Sequence, residues 1–149
     1  MTTPADAALV SLGYEGRDAR DLIVQLTEQR VTVLVDVRLT PLSRKPGLSK
    51  RKLTEALANA AIQYIHLPHL GNPKDNREAF RVGDPASRTR FRQILETSDG
   101  AAALQHVAEL LDGGSVALLC FERDHATCHR DLVSAAIVKS RPDLPVVNL

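Results

Sequence analysis

Apolar positions along the chain alternate between short solid runs and stretches with helical spacing. The first run, Ala7 to Leu12, stops at Gly13-Tyr14-Glu15-Gly16 and reads as a buried strand and its turn. Behind Asp18, a favourable N-cap, Ala19, Leu22, Ile23 and Leu26 fall at i, i+3, i+4 and i+7 and predict an amphipathic helix. Val31 to Val37 is nearly continuous in Val and Leu, as a parallel strand covered on both faces requires. After breaks at Pro41 and Pro46-Gly47, Ser49 is placed to cap a helix whose inner face is Leu53, Ala56, Leu57, Ala60 and Ala61, with Leu48 and Leu53 forming a hydrophobic staple. Ile62 to Leu67 reads as a third strand, ended by Pro68. From His69 to about Ser98 the pattern weakens into a polar, Arg-rich excursion in which only short helical pieces are expected. Helical spacing returns at Leu104, Val107, Ala108 and Leu111 and is stopped by Gly113-Gly114. Ser115 to Cys120 then reads as a central strand, about Cys128 to Lys139 as a helix, and Val146 to Leu149 as a last strand.

Strands alternating with helices predict one α/β domain over residues 1–149: a mostly parallel sheet of about five strands with helices on both faces. A chain of 149 residues buries enough surface to fold without crosslinks. Its 44% hydrophobic and 25% charged residues exclude a disordered or membrane-embedded class. Met1 to Val10 has no basic segment followed by an apolar core, and Val116 to Phe121 is far too short to span a bilayer. The expectation is a cytoplasmic protein, no membrane partner, and two cysteines held as thiols. A net charge of +1 gives the whole chain no electrostatic address for nucleic acid, so any such address is local.

Ligands of open parallel sheets bind outside the carboxyl ends of the strands, where loops and helix N-termini present unpaired N–H groups. The first predicted strand is followed by Tyr14, the second by Asp36, Arg38 and Ser43, and the third by His66 and His69. The fourth is followed by Cys120, Glu122, Cys128, His129 and Arg130. Polar strand ends alone do not make a site, because loops are polar in any soluble protein. Asp36, however, ends an unbroken apolar run, so it sits at the edge of the buried sheet and needs a partner, either Arg38 or Arg130. With Thr127 as N-cap, Cys128, His129 and Arg130 would occupy the first turn of the last helix, where the dipole stabilises a thiolate or a bound anion.

The reading is a site for a small anionic, phosphate-bearing ligand. Cys128, Glu122 and Asp36 are the catalytic candidates, and Arg38, Ser43, Tyr14, His66, His129 and Arg130 the ligand-binding ones. The residues do not name a cofactor. A metal set would draw on Cys120, Cys128 and His129 with His66 or His69, but the spacing matches none of the paired-Cys zinc patterns, and no metal ligand is assigned. Two alternatives stand beside this. The basic stretches Arg38 to Lys52 and Arg77 to Arg92 suit a nucleic-acid-binding or processing module. Cys120 and Cys128 suit a thiol redox switch.

Four groups of residues carry a further signal. They are Leu12-Gly13-Tyr14-Glu15-Gly16; Asp36-Val37-Arg38 with Pro41 and Ser43; Tyr64 and His66 with Leu70-Gly71; and Leu119-Cys120-x-Glu122 leading to Cys128-His129-Arg130. Together they resemble the domain of unknown function 488 family over nearly the whole chain. The resemblance implies an α/β domain and a single site built from Asp36, Arg38, Cys120, Glu122, Cys128, His129 and Arg130, with no established reaction. The chain departs from the family pattern at Asn72-Pro73, where many members carry another glycine, and at Asn148, where a histidine is expected.

Overall fold

The computed structural model describes residues 6–149; Met1 to Ala5, the start of the segment read above as lacking a leader, lie outside it. Five parallel strands, β1 (Leu9–Gly13), β2 (Val31–Asp36), β3 (Gln63–His66), β4 (Ser115–Cys120) and β5 (Val146–Asn148), form one sheet in the order β3-β2-β4-β1-β5. The helices are α1 (Ala19–Glu28), α2 (Lys50–Asn59), α3 (Lys74–Arg81), α4 (Pro85–Glu96), α5 (Ser98–Leu110) and α6 (Arg130–Ser140). This is the expected α/β class, with every strand pair parallel. No helix among the described residues is long and apolar enough to cross a membrane.

The period of two along each strand divides the core into two layers. Leu9, Val33, Val35, Val116, Leu118 and Cys120 face the layer filled by Phe80, Phe91, Leu95, Val107, Leu132 and Ile137 of α3 to α6. Val10, Leu12, Leu34, Ala117 and Leu119 face the layer filled by Leu22, Leu26, Leu53 and Leu57 of α1 and α2. Leu48 and Leu53 of the expected staple are both fully buried in that second layer. The alternation matters for the site: at the carboxyl ends Cys120 belongs to the α3–α6 side, whereas Asp36, two residues on from Leu34, belongs to the α1–α2 side.

Local sequence explains the boundaries. Asp18 and Asp21 form a reciprocal capping box at α1, with the Asp21 N–H donating to Asp18 Oδ1 at 2.8 Å and the Asp18 N–H to Asp21 Oδ2 at 3.1 Å. Ser49 occupies the N-cap of α2, but its hydroxyl does not cap. It accepts from the Ser43 N–H at 3.0 Å and donates to the Ser43 carbonyl at 3.2 Å, closing the β2–α2 loop instead. α2 ends in a Schellman turn, Ile62 N–H to Leu57 O at 2.9 Å and Ala61 N–H to Ala58 O at 3.0 Å, which puts Ala61 in the left-handed region at φ 60°.

The segment from His69 to Ser98 corrects the sequence reading. It holds two full helices rather than short pieces. α4 opens on Asp84, whose carboxylate accepts from the Ala86 N–H, followed by Pro85 in the first turn, and it buries Ser87, Phe91 and Leu95 at four-residue spacing. Five arginines across α3 and α4 masked that narrow apolar stripe. A buried polar seam joins the two helices: Asn76 donates to Asn72 Oδ1 and to the Ser87 carbonyl, and Ser87 Oγ donates to the Asn76 carbonyl.

Candidate functional site

Two polar clusters, one on each side of the sheet, meet at the carboxyl ends of β2 and β4. On the α1–α2 side Asp36 is fully buried and is answered by Arg38, which donates Nε to Oδ1 at 2.9 Å and Nη2 to Oδ2 at 2.7 Å. Of the two partners the sequence offered, the structure selects Arg38. Tyr64 donates its hydroxyl to Asp36 Oδ2 at 2.5 Å, and Arg38 Nη1 donates to the Leu48 carbonyl at 2.7 Å. The guanidinium lies over the Tyr14 ring, 5.4 Å from its centroid. Burial works against the charge of Arg38, but the hydrogen bonds and charge of Asp36 outweigh it and hold its pKa above the ordinary value. Burial, with the Asp36 carboxylate beside it, raises that of Tyr64.

On the α3–α6 side Cys120, the last residue of β4, and Cys128 are not the two thiols expected from the sequence: the turn before α6 brings their sulfurs together across an eight-residue separation, and they are bonded to each other. Their Cα atoms stand 7.6 Å apart. Beneath them lies Arg130, a fully buried guanidinium whose Nε donates to Cys120 Sγ at 3.0 Å and to Cys128 Sγ at 3.3 Å. Its Nη1 donates to Ser11 Oγ at 2.9 Å, and its Nη2 donates to the Glu122 carbonyl. Burial lowers the Arg130 pKa to about 10, so it remains a cation at neutral pH. The helix begins later than the sequence suggested. His129 is the N-cap, α6 starts at Arg130, and Thr127 ends a separate 3-10 turn, so Cys128 lies just outside the helix.

His129 ties the clusters together. Its Nε2 is 2.9 Å from the Val37 carbonyl, and since a carbonyl only accepts, Nε2 carries the proton. Nδ1 is therefore the lone-pair nitrogen, 3.5 Å from Cys128 Sγ. Burial pushes the His129 pKa down to about 4, so the ring is neutral. Phe91 of α4 stands edge-on to it at 5.2 Å. The donor atoms of Cys120, Cys128 and His129 all lie within 4.8 Å of one another.

Above these groups opens a pocket of about 250 Å³ whose lining includes Tyr14, Arg38, Glu122, Cys120, Cys128 and His129. Glu122 Oε2 lies 3.5 Å from Cys120 Sγ, and its Oε1 accepts from Arg81 Nη2 at 3.1 Å. Of the remaining sequence candidates, Asp36 stands behind Arg38 and Arg130 beneath the sulfurs, neither on the pocket wall. His66 uses Nε2 on the Arg38 carbonyl at 2.7 Å, and Ser43 accepts from the Lys45 N–H at 3.1 Å within its own loop. His69 is exposed and stands outside the Cys–His group. The sequence offered Arg77 and Arg81 of α3 only as part of a nucleic-acid-binding stretch and Thr127 only as a helix cap; the structure places both arginines, with Asn72 and Thr127, on the lining of this pocket. The four-residue spacing of the two arginines was the available signal, unreadable until α3 is recognised as a helix.

The β1–α1 turn is fitted closely to this floor. A Cβ on Gly13 would fall 1.8 Å from the Glu122 carbonyl oxygen, so only glycine allows β1 to pass beside the loop that Arg130 holds.

Residues 18–137 match the family model described as domain of unknown function DUF488, and the chain belongs to that family. No curated protein and no solved structure matches it.

Proposed function

We propose that this DUF488 member is a thiol–disulfide redox protein whose Cys120–Cys128 pair exchanges with a small anionic thiol or disulfide seated in the pocket. The observation that carries the reading is Arg130: a buried cation that donates one N–H to both sulfurs, directly under a pocket that both cysteines line. A cation in that position stabilises thiolate over thiol, which makes the reduced pair nucleophilic at neutral pH and each sulfur a good leaving group. The Cys128 thiolate attacks one sulfur of the ligand disulfide, forming a mixed disulfide and expelling one ligand thiolate. Cys120 then attacks Cys128 Sγ, closing the Cys120–Cys128 bond and expelling the second ligand thiolate. Two electrons pass from the protein pair to the ligand.

The anionic character of the ligand is supported by Arg77 on the pocket wall, whereas Arg81, one turn on, is already paired with Glu122 at 3.1 Å. The arginines expected to hold an anion, Arg38 and Arg130, are committed to Asp36, Leu48, Ser11 and the sulfurs. The nucleic-acid reading has weaker support. Arg81, Arg88 and Arg90 are paired with Glu122, Asp131 and Asp75, and Lys45 spends its ammonium on the Tyr14 and Arg17 carbonyls.

The test is the alkylation rate of the reduced protein by iodoacetamide against pH, with cysteine assignment by mass spectrometry. The expected result is an apparent thiol pKa at Cys128 below the ordinary value of about 8.5, rising in Arg130→Gln. An ordinary or raised value in the wild-type protein sinks the reading whatever the variant does. So does a pair that stays as two free thiols when incubated with an anionic small-molecule disulfide.

A further inference from the structure

We infer that the reduced form of the same cluster is a metal centre: Cys120 Sγ, Cys128 Sγ and His129 Nδ1 bind one thiophilic divalent cation of the zinc type and leave its fourth position open to the pocket. Two thiolates and an imidazole within 4.8 Å of one another are the donor set a tetrahedral zinc ion prefers. Proximity alone is weak, and three further features point the same way.

The first is the histidine. A ligating imidazole almost always donates its other N–H to a fixed acceptor, which sets the tautomer and aims the lone pair. His129 does so, with Nε2 on the Val37 carbonyl at 2.9 Å and Nδ1 toward the sulfurs, in a ring held from the side by Phe91. The second is the backbone. Cα atoms 7.6 Å apart stand wider than the separation of about 4.4–6.8 Å usual across a disulfide. Around a zinc ion with Zn–S bonds of about 2.3 Å, two sulfurs stand roughly 3.8 Å apart, a spacing better matched to this frame. The third is the direction of opening. All three donors line the pocket, whereas Arg130, which hydrogen-bonds both sulfurs, does not. An ion among the three is supported from below by Arg130 and reached through the pocket above, the open arrangement of a reactive rather than a structural site.

Charge then selects the fourth ligand. The two thiolates cancel the divalent charge and Glu122, 3.5 Å from Cys120 Sγ, is offset by Arg81, so Arg130 beneath and Arg77 on the pocket wall leave the centre cationic. The open position therefore favours an anion: hydroxide, carboxylate, phosphate or the thiolate of the ligand proposed above. Metal binding and disulfide formation are mutually exclusive uses of the same sulfurs, so a bound ion protects the pair from oxidation. This inference rests on the reducible cysteine pair of the redox reading, not on its ligand.

The experiment is a cobalt(II) titration of the full chain, reduced with a phosphine under anaerobic conditions and shown to hold two free thiols. One equivalent should bind, with sulfur-to-cobalt charge transfer in the near ultraviolet and tetrahedral d–d bands in the visible, both displaced by zinc. Cys128→Ser should remove most of the charge-transfer intensity, and His129→Gln should keep the charge transfer but bind at least about tenfold more weakly, since even an outer ligand partner is worth that much. Wild-type protein without charge-transfer absorption overturns the inference, as does His129→Gln with unchanged affinity and spectrum. Cobalt binding without exchange against a small disulfide would overturn the redox reading alone; exchange without cobalt binding would overturn the metal centre alone.

Discussion

At the residue scale, buried charge and its partners decide what each substitution costs. Asp36 is fully buried and its charge is balanced by Arg38. Removing one member of such a pair strands the other, and the expected cost of Arg38→Ala is about 3–5 kcal/mol in urea denaturation. Asp36→Asn with Arg38→Met together should cost less than Arg38→Ala alone, because no charge is left unpaired. His129 gives a pH dependence with a definite sign. Its folded pKa of about 4 lies below the ordinary 6.5, so between those values the unfolded chain binds a proton that the native state refuses. The His129 contribution to stability is complete above pH 6.5 and falls as the pH drops toward 4, by about 3 kcal/mol in all. Denaturation curves with chelator present should show that loss, and His129→Gln should flatten it. The sequence made Asp36 legible as a buried acid because a strand's apolar run ends on it. It left Arg38 and Arg130 undecided as its partner, because only the side of the sheet to which each belongs separates them.

At the scale of elements, the strands and α1, α2, α5 and α6 were readable and α3 and α4 were not; of the expected caps, Asp18 alone caps with its side chain. The solid apolar runs located β1, β2 and β4 within one or two residues, since a parallel strand covered on both faces tolerates few polar positions, and the edge strands β3 and β5 were placed as closely from shorter runs bounded by prolines. α3 and α4 carry their burial on a narrow stripe, Asn76 and Phe80, then Ser87, Phe91 and Leu95, two of whose members are polar and so invisible to an apolar count. That hid the arginine wall of the pocket. α2 offers a test of local conformation. Ala61 holds the left-handed position that closes its Schellman turn and is exposed. Ala61→Gly should therefore stabilise the protein, by a few tenths to about 1 kcal/mol in thermal or chemical unfolding, even though glycine is the more flexible residue. A loss of stability would mean that the side chain at 61 contributes more than its backbone costs.

At the scale of the whole molecule, the net charge of +1 describes a surface on which many arginines are already answered by acids. The exposed basic residues Arg44, Lys50, Arg51 and Lys52 gather at the start of α2, and Arg51 reaches Glu55 only at 3.7 Å between exposed side chains, a pair worth little. Lys50→Glu with Lys52→Glu should abolish any salt-sensitive shift of the melting temperature by oligonucleotides and leave the cobalt titration and the thiol pKa unchanged. A simultaneous loss of cobalt binding would show that the α2 end and the pocket are one surface.

The floor of the pocket is made from the same side chains that hold the sheet ends together: Arg130 anchors Ser11 and the Glu122 carbonyl, and His129 anchors Val37. In a random mutagenesis library screened for any activity of this protein, non-conservative changes at these positions would therefore report as folding failures, and only conservative ones such as Arg130→Gln and His129→Gln would show their chemistry. Variants that fold and change what the protein does should instead collect at Arg81 and Thr127, which line the pocket with side chains bonded to Glu122 and to their own 3-10 turn rather than to the sheet ends.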